Sequence, residues 1–162
     1  MFQLSDEPDT VLVVEDDPAH AALIEAAFHY RSISWHVHVT MSSEEATAYL
    51  RGFRPFHARR RYPLPDVIIL DLGLQGVGGL DFLRWMDGRD EPWSEVPIII
   101  FTAARQPTIA AQAVALGARE VLVKPADFTE LVQTVTDLLQ RWRPRRASQS
   151  RRGRACRAAP FS

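Results

Sequence analysis

Residues 11–18 read Val-Leu-Val-Val-Glu-Asp-Asp-Pro, an apolar run followed at once by three acids and a proline. The same pattern, an apolar run that ends at a polar residue, recurs along the chain at Asp71, at Thr102 and at the Lys124-Pro125 pair. In a parallel α/β sheet the carboxyl ends of the strands lie at one edge, and ligands bind there. We therefore predict a parallel sheet that collects acids, a hydroxyl and an ammonium at a single edge.

Apolar runs of strand length alternate with amphipathic stretches of helix length, a pattern that predicts βαβ units in an α/β domain. The run at 35–40 alternates apolar with polar residues, which favours an edge strand, whereas the uniformly apolar runs at 67–70 and 96–101 are typical of strands covered on both faces. The predicted strands are 10–15, 35–40, 66–70, 96–101 and 120–123, and the predicted helices are 18–30, 43–51, 78–87, 107–116 and 127–142.

Charge is distributed unevenly over the 162 residues. The formal net charge is −1, but the segment from Arg141 to Ser162 holds eight Arg and no acid, so residues 1–140 hold 11 basic and 20 acidic residues, a net of −9. With 46% apolar residues, the bulk of the chain can form a core. We expect a flexible N-terminus over residues 1–8, a folded domain over 9–142 and a basic, disordered tail over 143–162.

The composition also indicates a compartment. Cys156 is the single cysteine, so an intrachain disulfide is impossible and a cytosolic setting fits. The N-terminus lacks signal-peptide character, and the apolar runs are far shorter than the ~20 residues that span a bilayer. We expect a cytoplasmic protein with no membrane association.

The acids at the predicted edge suit phosphoryl transfer. Asp71 is the candidate nucleophile, because a carboxylate can attack phosphorus and hold the group as an acyl phosphate. Mg²⁺, or Mn²⁺ in its place, would supply the positive charge that this chemistry needs. Mg²⁺ is typically held by one or two carboxylates with phosphate and water. Glu15, Asp16 and Asp71 are the candidate ligands, together with the backbone carbonyl of Gly73.

The remaining polar groups suit the phosphoryl oxygens. Lys124 can place an ammonium against one oxygen as a point charge, and Thr102 can donate a hydroxyl hydrogen bond to another. Pro125 is a candidate cis proline that would aim Lys124 inward. Each feature alone also fits an ordinary helix cap, turn or loop. Their order, each at the end of a predicted strand, is what favours the functional interpretation.

Taken together, these segments resemble the receiver domain of bacterial two-component response regulators. The matching segments are 11–18, 65–72, 97–103, 116–118 and Lys124-Pro125, and the resemblance covers about residues 9–142. It implies a (βα)5 fold, a doubly wound, five-stranded parallel sheet of order 2-1-3-4-5, which is CheY-like and flavodoxin-like. It also implies phosphoryl transfer from a sensor histidine kinase, which can also act as a phosphatase, to Asp71. The long loop before the third strand and the ending at Trp142 are similar to the single-domain regulators paired with bacterial phytochromes.

The chain departs from the family pattern at several positions. Gln75 replaces the usual proline, Gly78 the usual aspartate, and Val121 the aromatic residue that commonly switches with the threonine. Gly73 and Ala104 are small at two positions that influence phosphate lifetime in receivers. We therefore expect either fairly fast hydrolysis of the phosphoryl group or easy access for a partner phosphatase, and an output that does not use an aromatic switch.

Partner surfaces are indicated by two segments. The predicted last helix has a wide apolar stripe, and the family resemblance implies a homodimer through the face formed by the fourth helix, the fifth strand and the fifth helix. The 51–65 connection, rich in Arg and aromatic residues, is either a solvated excursion or a partner contact. The Arg-rich tail is too short for a DNA-binding domain, and it is either solvated or in contact with an acidic surface or nucleic acid.

Several functions are compatible with these residues. A phosphoacceptor switch, which is not a classical enzyme because it catalyses only its own phosphorylation and dephosphorylation, is the leading hypothesis. A phosphatase of the haloacid dehalogenase type needs a second aspartate two residues after the nucleophile, where this chain has Gly73. An interaction module that keeps the receiver fold without phosphorylation is the main alternative.

Overall fold

The computed structural model describes residues 9–30, 34–103 and 105–143. The predictions for the N-terminus, for Ala104 and for the basic tail beyond Arg143 lie outside the described residues. The elements follow in the order β1 (Asp9–Val14), α1 (Pro18–Tyr30), β2 (Trp35–Thr40), α2 (Ser43–Arg51), β3 (Val67–Leu70), α3 (Gly79–Met86), β4 (Ile98–Thr102), α4 (Pro107–Ala115), β5 (Glu120–Val123) and α5 (Phe128–Arg141).

The five strands form one parallel sheet in the order β2-β1-β3-β4-β5, as the family resemblance implies. β2 lies at one edge, as its alternating sequence predicts. The strand order reverses next to β1, because the chain leaves β2 on one side of β1 and continues with β3 on the other. Such a switch point opens a crevice at the carboxyl ends of the strands, between β1 and β3.

Both faces of the sheet are covered by helices. Leu12 and Val14 of β1 face a core that includes residues of α2, α3 and α4, whereas Val11 and Val13 face a core shared with α1 and α5. The alternation follows from the two-residue period of a strand, which sends successive side chains to opposite faces. Because the sheet is buried on both sides, its backbone forms a stiff frame for the groups at its edge.

The wide apolar stripe of α5 is largely accounted for by the protein's own core. The buried residues of this helix are Leu131, Val132, Val135, Leu138 and Leu139. Phe128 stays 36% exposed and meets Tyr30 edge-on, with ring centroids 5.9 Å apart. The stripe therefore indicates burial against the sheet and α1 more than a free surface for a partner.

In the described ranges, no helix is long and apolar enough to cross a bilayer.

Candidate functional site

Backbone hydrogen bonds fix the two acidic segments next to each other. The Glu15 N–H donates to the Thr40 carbonyl and the Asp71 N–H donates to the Val14 carbonyl, each at 3.0 Å. These bonds extend the strand pairing by one residue past the ends of β1 and β3. The sheet therefore holds the backbone of Glu15 and Asp71 in place, although both residues lie outside the strands.

Three carboxylates meet in the crevice between β1 and β3. Glu15, Asp16 and Asp71 each offer one oxygen, and these oxygens all lie within 4.8 Å of one another. Glu15 is only 1% exposed and Asp71 9%. Burial raises the pKa of Glu15, because water no longer stabilises its charged form, and the hydrogen bond from Lys124 opposes that rise.

Lys124 supplies the positive charge that this cluster requires. Its ammonium donates hydrogen bonds to Glu15 Oε2 and to Asp71 Oδ2, the latter at 3.2 Å. The Gly73 N–H donates to the other Asp71 oxygen at 3.0 Å. Unpaired charges at this depth would be strongly destabilising, so the ammonium acts as the internal counter-ion of the two buried acids.

The donor set suits a hard divalent cation. Mg²⁺ prefers oxygen ligands, and the three clustered carboxylates offer them on adjoining segments. Asp16 is oriented by the Gln75 N–H, which donates to its Oδ2 at 2.8 Å. The residues present therefore fit the predicted ion, while the carbonyl of Gly73 stays a predicted ligand.

A cavity of about 420 Å³ opens over the acids and is bordered by Thr102 and Lys124. Thr102 is the last residue of β4 and is 3% exposed. A Cβ built on Gly73 would stand 3.6 Å from both Asp71 carboxylate oxygens, so the glycine keeps that side of the carboxylate open. The cavity is large enough for a phosphoryl group and its water.

One expectation about Lys124 is wrong. Among the described peptide bonds the cis bond precedes Pro55, so the bond before Pro125 is trans. The backbone aims Lys124 in another way, because its N–H donates to the Thr102 carbonyl at 2.9 Å and so continues the pairing of β4 with β5. The pairing of β4 with β5 therefore orients Lys124, a role that had been predicted for a cis bond before Pro125.

His20, which was not predicted as a site residue, also borders the cavity. Its Nδ1 lies 3.5 Å from the Lys124 ammonium and 3.7 Å from Asp17 Oδ2. Asp17 places it there, because its carboxylate accepts the N–H groups of Ala19 and His20 at the start of α1. These hydrogen bonds lower the pKa of Asp17. The position of His20 in the sequence could have predicted its place at the site, because it follows the acids of residues 15–17 within one helical turn.

Comparison with known proteins identifies the family. A family model of the response regulator receiver domain matches residues 11–136. The probable methanogenesis regulatory protein FilR2 of Methanothrix harundinacea is 28% identical, over 85% of this chain and 86% of that protein. FilR1 of the same organism is 36% identical over 82% of this chain, which spans only 28% of that longer protein.

Solved structures show the same fold. Response regulator RPA3017, described in red light signalling of R. palustris, superimposes with a TM-score of 0.76 at 25% identity, over 83% of this chain and 94% of that one. The bacteriophytochrome response regulator AtBRR has a TM-score of 0.66 at 29% identity, over 82% and 93% of the two chains. With the family model covering most of the chain, the protein belongs to the family of response regulator receiver domains.

Proposed function

We propose that this receiver domain accepts a phosphoryl group from a sensor histidine kinase on Asp71, with Mg²⁺ held by Glu15, Asp16 and Asp71. The observation that carries the proposal is the placement of Asp71, a nearly buried carboxylate that lies 3.2 Å from the Lys124 ammonium and beside two further acids. A carboxylate placed only for stability would not need an open cavity above it.

In the proposed reaction an Asp71 oxygen attacks phosphorus, the bond from phosphorus to the donor histidine nitrogen breaks, and the group remains on Asp71 as an acyl phosphate. The bound ion would supply positive charge for the phosphoryl oxygens. Lys124 neutralises a phosphoryl oxygen as a point charge, and the Thr102 hydroxyl donates to another. The protein's part in catalysis is positioning and electrostatic stabilisation, as is general for phosphoryl transfer.

Loss of the phosphoryl group should be fast. Gly73 leaves the carboxylate open on one side, so water can approach an acyl phosphate there. We expect a half-life well short of many hours for the isolated phosphoprotein, followed by intact mass after removal of the phosphodonor. A phosphate that persists for many hours would contradict this part of the proposal.

The proposed output is protein–protein contact. Val121, at the position where receivers commonly carry a switching aromatic residue, is half-buried and packs against the core on the α2, α3 and α4 side of the sheet. A signal would therefore pass through other residues of the α4-β5-α5 face, through which we propose that the protein dimerises. The likeness to RPA3017 and AtBRR supports a bacterial phytochrome as the kinase partner.

The direct test is intact mass after incubation with acetyl phosphate and Mg²⁺. We expect the wild type to gain one phosphoryl group and Asp71→Asn to gain none. Asp81→Asn removes an exposed acid at the start of α3, and it should gain the group like the wild type. Omitting Mg²⁺ should prevent the gain in the wild type and in Asp81→Asn.

The competing function is an interaction module that keeps the fold without phosphorylation. Two observations favour it: the Lys124 ammonium already pairs with Glu15 and Asp71, and Val121 replaces the aromatic switch. If rapidly quenched wild-type protein gains no mass at any Mg²⁺ concentration, this alternative replaces the proposal.

A further inference from the structure

The α2–β3 loop (residues 52–66) is fixed firmly to the body of the domain. The Arg59 guanidinium donates to the carbonyls of Tyr49, Leu50 and Tyr62, at 2.8, 2.6 and 3.3 Å. Two of these carbonyls belong to the last turn of α2, where carbonyls have no partner within the helix. The loop is therefore a helix cap, and it presents a fixed surface.

An aromatic cluster holds the same loop from its other side. The Tyr49 ring lies 5.2 Å from Phe56 and 6.0 Å from Tyr62, measured between centroids, and Phe56 lies 5.2 Å from Tyr62. The Tyr49 hydroxyl donates to the Pro63 carbonyl at 2.8 Å. A surface that is already ordered loses little conformational freedom when a partner binds, which favours its use as a docking site.

The outward side of this segment is basic. Residues 51–61 contain five Arg and no acid, in a chain whose residues 1–140 carry a net charge of −9. Arg51, Arg54, Arg60 and Arg61 are exposed, and within the described residues none of them forms an ion pair with a carboxylate. This concentration of unpaired positive charge is complementary to an acidic partner.

A groove of about 400 Å³ is lined in part by Arg51 and Arg59. Its lining includes Phe53, which is 56% exposed, and Trp93, which stacks on Trp85 with centroids 4.7 Å apart. The Arg51 guanidinium lies over Phe53 and over Trp85, at 5.6 and 5.7 Å from the ring centroids. The groove thus combines the exposed Phe53 ring, beside the buried Trp93, with positive charge, and Glu91 also lines it.

We propose that this surface binds an acidic peptide segment of a partner protein, with an apolar side chain of the peptide in the groove and its carboxylates against the arginines. Bidentate pairing of guanidinium with carboxylate gives such a contact both affinity and direction. The groove adjoins the amino ends of β3 and β4, whereas the Asp71 site lies at their carboxyl ends. Binding is therefore independent of the proposed phosphorylation.

Charge distribution favours a short peptide over nucleic acid. A nucleic acid long enough to bind firmly would extend past the loop and meet the negative field of the rest of the domain. A short acidic segment contacts only the loop and the groove. The exposed Phe53 ring adds a further preference, since it is complementary to a side chain such as Leu or Phe rather than to a phosphate backbone.

The test is fluorescence anisotropy with a labelled dodecapeptide that alternates Glu with Leu and Phe, against the same peptide with every Glu replaced by Gln. We expect the acidic peptide to bind both wild type and Asp71→Asn. The double variant Arg51→Ser/Arg54→Ser and the single variant Phe53→Ser should each weaken binding about tenfold. Arg105→Ser/Arg119→Ser removes the same charge from exposed positions elsewhere, and it should leave binding within about twofold of wild type.

Several results would overturn the proposal. They are equal affinity for the Gln peptide, no binding at about 1 mM protein, and equal losses in the two arginine pairs. A DNA oligonucleotide that displaces the peptide and binds more tightly would identify nucleic acid as the occupant. A change in the sedimentation of the free protein on Arg51→Ser/Arg54→Ser would identify a second copy instead.

Discussion

The Lys124 ammonium lies where Mg²⁺ and the phosphoryl group are also proposed to bind. It hydrogen-bonds Glu15 and Asp71, which are also the proposed ligands of Mg²⁺. A cation entering the crevice must therefore compete with the ammonium or move it. The same movement would free Lys124 to meet an incoming phosphoryl oxygen, so one side chain couples ion binding to phosphoryl binding.

Replacing Lys124 separates these effects. Lys124→Met removes the competing charge while keeping an unbranched side chain, and we expect Mg²⁺ to bind more tightly, on the order of tenfold, as measured by titration calorimetry. Phosphoryl uptake from acetyl phosphate should nevertheless become much slower, because the transferred group loses its point charge. Lys124→Arg keeps the charge and should keep the wild-type Mg²⁺ affinity. An unchanged Mg²⁺ affinity in Lys124→Met would mean that the ammonium does not compete for the acids.

His38 makes stability depend on pH. Burial between Tyr49 and Tyr62, and secondarily the charge of His36, lower the pKa of His38 below its ordinary value of 6.5. The unfolded chain therefore binds this proton more readily than the folded protein. The stabilisation is present above about pH 6.5 and is lost as the pH falls from there through the folded pKa.

We expect the free energy of unfolding of the wild type, from urea titrations, to fall between about pH 7.5 and pH 5 more steeply than that of His38→Gln. His57→Gln changes an exposed histidine of the α2–β3 loop and should keep the wild-type slope. Parallel pH profiles for wild type and His38→Gln would show that His38 is protonated equally in both states.

At the scale of elements, the strands were predictable because they are short apolar runs bounded by polar groups. Every predicted strand and helix is present, with ends that differ by at most two residues. Local chemistry sets several ends, as where the Ser42 hydroxyl accepts the Glu45 N–H at the start of α2. The α2–β3 loop was not predictable, because its order depends on Arg59 reaching carbonyls that are up to ten residues away.

The Arg59 contacts predict a large effect of one substitution. Arg59→Ala leaves the Leu50 and Tyr62 carbonyls without the guanidinium donor, whereas the Tyr49 carbonyl keeps the Gly52 N–H. We expect a loss of about 2 kcal/mol in the free energy of unfolding, measured by urea denaturation. Arg60→Ala alters an exposed neighbour that makes no hydrogen bond in the described part of the chain, and it should be nearly neutral. If the two variants unfold at the same urea concentration, the guanidinium cap contributes nothing to stability.

At the scale of the whole molecule, the candidate site was predictable because topology brings strand ends together. Glu15, Asp71, Thr102 and Lys124 each lie at or just past the end of a strand, so a parallel sheet must gather them at one edge. The sequence could not predict which of these side chains contact one another. The bridge from Lys124 to both acids and the approach of His20 depend on side-chain packing between segments about 50 to 110 residues apart.

The proposed dimer is also a property of the whole molecule. In the structure the exposed apolar side chains that support it lie on α4 and β5 rather than on α5. Val114 of α4 is 55% exposed and Val123 of β5 is 41% exposed, whereas most apolar residues of α5 are buried in the core. Contiguous exposed apolar surface marks interaction sites, and we propose that Val114 and Val123, on two elements in contact, belong to one such surface. A stable dimer would bury at least about 1,000 Å² there.

Sedimentation velocity tests this face. We expect the wild type to sediment as a dimer and Val123→Glu as a monomer, because a carboxylate buried without a partner at the centre of an interface is strongly unfavourable. Leu23→Glu makes the same change at a 47% exposed position on α1, outside the proposed interface, and should remain dimeric. A wild type that stays monomeric, or two variants that behave alike, would contradict the assignment. Since Val123 directly precedes Lys124, a dimer seated on this face would also lie next to the phosphoryl site.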